Sequence, residues 1–139
     1  MTFQRAAGRQ GRQFADQCNE ALAGLGFRLL GKRNLSRIGV ELDQVGVTPT
    51  GAELWFEFKG SFRGKRPGLR RTDTTKKAIA HGALVRTMTN REPFIVLTSH
   101  LPERGAALAM LDVAMAAGYV TAAISIYETG WESKLKRFF

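Results

Sequence analysis

The run ELWFEFK, residues 53 to 59, sets Glu57 and Lys59 two positions apart among Leu, Trp and Phe. In an extended chain alternate side chains share a face, so Glu57 and Lys59 point one way and Phe56 and Phe58 the other. Upstream, GVELDQVGV places Asp43 in a second strand-like run, and TPTG at 48 to 51 reads as the turn between them. Consecutive strands usually pair, which brings Asp43, Glu57 and Lys59 to one face. Two carboxylates converging at a sheet edge repel and lose solvation unless a cation lies between them. Hard oxygen ligands without His or Cys select Mg²⁺ or Mn²⁺. Such a cation can take phosphate oxygens and acidify a water, while Lys59 orients that water or balances charge on the phosphate. The chemistry these residues suit is hydrolysis of a phosphodiester. The plainer reading, a solvated strand face with a cross-strand salt bridge worth under about 1 kcal/mol, does not explain why the flanking positions are so apolar.

A site of this kind needs a rigid frame, and the chain has the length and the pattern for one. Its 139 residues, 44% hydrophobic, are expected to form a single domain over 1–139. From Gly11 to Leu25, Phe14, Cys18, Ala21, Leu22 and Leu25 recur at helical spacing, and Gly26 is the stop. Strands are expected at FRLLGKRNL, GVELDQVGV and ELWFEFK as a meander, then a helix over TDTTKKAIAHGALVRTM. A buried strand PFIVLTSH, a helix from Glu103 to Ala117 and a last strand YVTAAISIY complete the order. The expected class is α/β, a central mixed sheet flanked by helices. The tail GWESKLKRFF ends in two aromatics that cover either a sheet edge or a dimer partner.

Charge narrows the partner. Lys and Arg number 21 against 12 Asp and Glu, a formal charge of +9, which points to a polyanion such as nucleic acid. GSFRGKRPGLRR, residues 60 to 71, holds five cations and no acid beside the proposed site. Arg63, Lys65, Arg66, Arg70 and Arg71 therefore read as phosphate contacts, and Phe62 as a packing residue able to stack on a base. With Cys18 the only cysteine, an intramolecular disulfide and a thiolate zinc cluster are both excluded, and a cytoplasmic location is expected. No signal-peptide pattern is read near the start, and the Ala-rich stretch 106–126, broken by Asp112 and Gly118, reads as a buried helix and strand rather than a membrane span. His81 and His100 read as ordinary helix and strand-end residues, since neither has a carboxylate or second His at ligand spacing. Glu41 reads as facing solvent or a basic neighbour.

VELDQV and WFEFKG together resemble the two halves of the PD-(D/E)xK motif of the restriction-endonuclease-like nucleases, with Asp43 at the Asp and Glu57-Phe58-Lys59 at the (D/E)xK. The order α-β-β-β-α-β, with an added helix and strand, is similar to that superfamily's core over roughly residues 10 to 127. The resemblance implies a Mg²⁺-dependent nuclease. It makes Asp43 and Glu57 metal ligands, adds the Phe58 main-chain carbonyl, and makes Lys59 the catalytic lysine. Within that group the chain is similar to the small Holliday-junction-resolvase-like branch. Many members carry a Glu on the first helix, in a window where this chain has Arg12 and Gln13. Glu20, with Asp16 as the alternative, would have to substitute. Members often carry a Lys or Gln facing the site from the helix after the lysine strand; Lys76 or Lys77 would be the counterpart, with Lys76 preferred as the earlier of the two and Lys77 otherwise read as a nucleic-acid contact.

The function expected is a metal-dependent endonuclease acting on duplex or branched DNA. A homodimer would supply the two active sites that cutting both strands requires. Two rivals stand beside it: a DNA-binding module on the same fold whose catalysis has decayed, and a basic RNA- or ribosome-associated protein in which the motif is accidental.

Overall fold

The chain is described here by a computed structural model covering residues 3–60 and 67–139, with side chains from Gln13 onward. Arg63, Lys65 and Arg66, three of the expected phosphate contacts, lie outside the described residues, as does Phe62. Helix α1 runs Phe3–Gly24, beginning earlier than the amphipathic pattern suggests and passing through Gly8 and Gly11. It buries Phe14, Cys18 and Leu22. Gly26, at a φ of 95°, closes it in a Schellman motif: Phe27 N–H donates to Leu22 O at 3.2 Å and Gly26 N–H to Ala23 O at 3.0 Å.

Strands β1 (Arg28–Leu35), β2 (Val40–Val47) and β3 (Glu53–Lys59) form the expected antiparallel meander. A short 3₁₀ turn, Gly68–Arg70, leads into α2 (Thr72–Met88), followed by β4 (Phe94–Thr98), α3 (Gly105–Ala116), β5 (Ala122–Ser125) and α4 (Trp131–Lys136). The sheet order is β1-β2-β3-β4-β5, with β3, β4 and β5 parallel. The result is an α/β architecture on a five-stranded mixed sheet with helices on both faces. Among the described residues no helix is long and apolar enough to cross a membrane.

Period-2 alternation along β3 divides the core between the two faces. Leu54 and Phe56 join Phe14, Cys18, Leu22, Ile95, Leu97 and Ile124 under α1, whereas Trp55 joins Ala78, Val85, Val96 and Leu111 under α2 and α3. Burying each large apolar side chain contributes roughly 1.5–3 kcal/mol, so β3, packed on both faces, is a well-anchored place for charged groups. The tail packs onto its own chain: Leu135 is buried in the α1-side core, and the Phe139 ring meets Phe27 edge-on at 5.4 Å.

Candidate active site

The site starts from an irregularity in β2. Against β1, Gly31 faces Val45 and Arg33 faces Leu42, so β2 spends one residue more than its partner and bulges at Asp43 and Gln44. Leu42 and Val45 consequently reach the same α2-side core although three positions separate them. The main-chain donors disturbed by the bulge are met by a side chain. Buried Gln44 accepts Gly31 N–H at 2.6 Å and Val45 N–H at 3.0 Å on Oε1, and its Nε2 donates to Asn19 of α1 at 2.9 Å. Gln44 thereby holds open the bulge that presents Asp43.

Asp43 reaches the neighbouring strand. Its Oδ2 accepts the Phe58 N–H at 2.7 Å, beyond the last paired residues of β2 and β3, Gln44 and Phe56. In an extended strand the N–H and C=O of one residue point to the same neighbouring strand. The Phe58 carbonyl is therefore directed to the side on which the Asp43 carboxylate lies.

Glu57, on the α2 face, is only 2% exposed, and Nδ1–H of His81 on α2 donates to its Oε1. Its other oxygen, Oε2, is buried and has no hydrogen-bond partner among the described residues. Burial pushes the Glu57 carboxyl above its ordinary range; Lys59, then the His81 hydrogen bond and the His81 charge, pull against that rise, and Asp43 adds to it. Lys59, His81 and Asp43 thus all act electrostatically on one carboxylate. The main chain at Lys59 is fixed from below, where buried Thr98 donates its hydroxyl to Lys59 O at 2.6 Å. At the next residue, Gly60, a Cβ would sit 2.2 Å from the Phe14 ring, so the chain can leave the site only without a side chain there.

A buried carboxylate oxygen with no protein partner is costly unless something cationic occupies its lone pairs. Asp43, Glu57 and the Phe58 carbonyl fit a hard divalent cation. Among the described residues no three His, Cys, Asp or Glu side chains cluster closely enough to hold a metal ion by themselves. A cation here would accordingly keep several waters, as Mg²⁺ does.

The structure rearranges the remaining expectations. Glu20 is exposed on the side of α1 opposite Phe14, Cys18 and Leu22, and Asp16 is likewise exposed, so neither helix acid joins the site. Lys76 also departs from its expected place. It lines an apolar groove between α2 and α3 with Ile79, Met110 and Val113, whereas Lys77 stands one helical turn before His81 on the same row. Arg70 is half-exposed and already has protein partners: its Nη2 pairs with exposed Glu103 at 2.9 Å and its Nε donates to Leu101 O at 3.2 Å. Arg71 is exposed at the start of α2, beside a polar hollow that it shares with Thr74, Lys76 and Lys77. Glu41 faces a basic neighbour, Lys32, at 3.8 Å.

His81 is the site residue that the sequence alone did not disclose. No local spacing could have found it, because its partner lies on another element, but a His on the helix packed over the Glu57 face was the available signal. No protein-family model, no curated protein and no solved structure matches this chain.

Proposed function

We propose that the chain is a divalent-metal-dependent endodeoxyribonuclease built on a restriction-endonuclease-like core. The observation that carries the reading is Glu57: a carboxylate with one oxygen engaged by His81 and the other without a partner among the described residues, on which Asp43 and Lys59 also act. The element order and the sheet order, a meander followed by parallel strands, support the same reading.

Asp43, Glu57 and the Phe58 carbonyl would hold Mg²⁺ or Mn²⁺. Bound there, the cation supplies Lewis-acid stabilisation of charge on the phosphate and lowers the pKa of a water. Lys59, on the Glu57 side of β3, orients the attacking water or offsets the charge that builds on the scissile phosphate. Lys77 and Arg71, both exposed, take phosphates flanking the cut and add affinity without reading sequence.

The rival is a DNA-binding module on the same fold that has lost catalysis. It is favoured by one observation, the outward-facing Glu20, which leaves the first helix without an acid at the site. Incubating the protein with supercoiled plasmid and with a four-way DNA junction in Mg²⁺ separates the two. Cleavage that EDTA stops supports the nuclease; binding to both DNAs without any cleavage supports the module.

A further inference from the structure

We propose that His81 is a positioning residue for the Glu57 carboxylate, holding it in the one orientation that leaves Oε2 available as a ligand oxygen. The proposal rests on the reading of Asp43 and Glu57 as a divalent-cation centre.

The terminal torsion of a glutamate is broad and roughly two-fold, so the chain's own rotamer preferences do not fix which way the carboxylate faces. A hydrogen bond to one oxygen does fix it. Among the described residues the hydrogen bond to the Glu57 carboxylate comes from His81, and the other oxygen is buried and unpartnered. A carboxylate whose orientation were set by packing alone would lack the His81 hydrogen bond.

The support behind His81 is rigid. Helix α2 is seated on the sheet through Thr75, Ala78, Gly82 and Val85, all buried. At Gly82, in the same helix one residue on, a Cβ would lie 2.3 Å from the Tyr119 carbonyl oxygen, so the backbone here is pressed against its neighbour. The imidazole is therefore carried on an element with little freedom to shift, which is what a group that orients a ligand requires. With Glu20 and Asp16 pointing to solvent on the opposite side of the sheet, this orienting contact comes from the α2 layer instead.

The test uses the full chain, with Mn²⁺ alone as the calorimetric probe and plasmid nicking across a Mg²⁺ titration as the second readout. His81→Leu keeps apolar bulk and removes the donor; His81→Asn keeps an amide N–H near the position of Nδ1. His81→Leu should weaken Mn²⁺ binding by about 10- to 100-fold, the range for losing an outer partner of a metal ligand. The Mg²⁺ concentration for half-maximal nicking should rise by a similar factor, with the rate at saturating Mg²⁺ changed only a few-fold. His81→Asn should recover most of both losses. His81→Ala, checked for folding by circular dichroism, replaces the leucine variant should that one not fold. Wild-type Mn²⁺ affinity in a folded donor-less variant, or equal losses in His81→Leu and His81→Asn, overturns the proposal while the metal-centre reading stands. A wild-type protein that takes up no Mn²⁺ overturns both.

Discussion

The Asp43 carboxylate accepts the main-chain N–H of Phe58 at 2.7 Å, joining the side chain of one strand to the backbone of the next just past the end of their ladder. One oxygen of Asp43 thus has a structural task, and the charge of the group is available for another. The two roles are separable by substitution. Asp43→Asn keeps an acceptor for Phe58 N–H and should leave stability close to wild type while abolishing Mn²⁺ binding. Asp43→Ala should lose metal binding and also about 1–3 kcal/mol, the cost of an unsatisfied donor. Calorimetry and urea denaturation on the pair check both halves.

Gln44 should matter for stability and activity alike. Gln44→Leu is close in volume but cannot accept from Gly31 and Val45, whose donors it now satisfies at 2.6 Å and 3.0 Å. The variant should lose about 1–3 kcal/mol or more. Because the bulge presents Asp43, Mn²⁺ affinity should fall with it. An unchanged urea midpoint would separate the bulge from the side chain inside it.

Glu57 should make stability depend on pH in a direction that follows from its shift. Burial raises its folded carboxyl above the ordinary value of 4.5, so above that pH the folded chain keeps a proton that the unfolded chain has released. The contribution is fully present below about pH 4.5 and is lost as pH rises through the raised folded value. In EDTA, Glu57→Gln, which cannot ionise, should therefore gain on wild type with rising pH. It should be roughly 0.5–2 kcal/mol more stable near neutrality, as is common when a functional charge is removed. Mn²⁺ at 100 times its Kd should return about 2.7 kcal/mol to wild type and nothing to the variant. Parallel stability curves for the two proteins between pH 4.5 and 8 would contradict the origin assigned to the shift.

The basic surface should divide according to partners. Arg71 and Lys77 are exposed, and the Arg71→Ala, Lys77→Ala double variant should bind all DNA sequences more weakly. Its log–log salt slope should drop by about 0.9 for each phosphate that is no longer neutralised. Arg70→Ala should leave the slope unchanged, because that guanidinium is taken by Glu103 and Leu101 O. Fluorescence anisotropy over a salt series measures both.

How far these features were legible in sequence depended on the range of the physics involved. Alternation along ELWFEFK assigned Glu57 and Lys59 to one face because β3 is regular, and the turn at 48–51 made its pairing with β2 predictable. The bulge at Asp43 and Gln44 was hidden, since alternation presumes an unbroken pleat and Gln44 there looks like an ordinary polar strand residue. On α2 the buried stripe is made of Thr75, Ala78, Gly82 and Val85, small residues that mark a face weakly, so only their order in the chain separates Lys76 from Lys77 in the sequence. The partners of Arg70 and His81 are not legible for a shared reason: Glu103 and Glu57 are distant in sequence and meet them only through the fold. The short helix α4 has too few residues for a period to register, though Phe138 and Phe139 beyond it signal that the tail covers something.

Whether Glu57 and Asp43 hold a catalytic cation with Lys59 acting beside it is decided by following plasmid nicking and Mn²⁺ uptake together on wild type and Lys59→Ala. Wild type should nick plasmid in Mg²⁺ and not in EDTA. Lys59→Ala should bind Mn²⁺ as well as wild type yet cut about 10²- to 10⁴-fold more slowly, the range for one positioned acid–base or electrostatic group. Cutting at the wild-type rate by Lys59→Ala, or full cleavage by wild type in EDTA, would contradict this assignment.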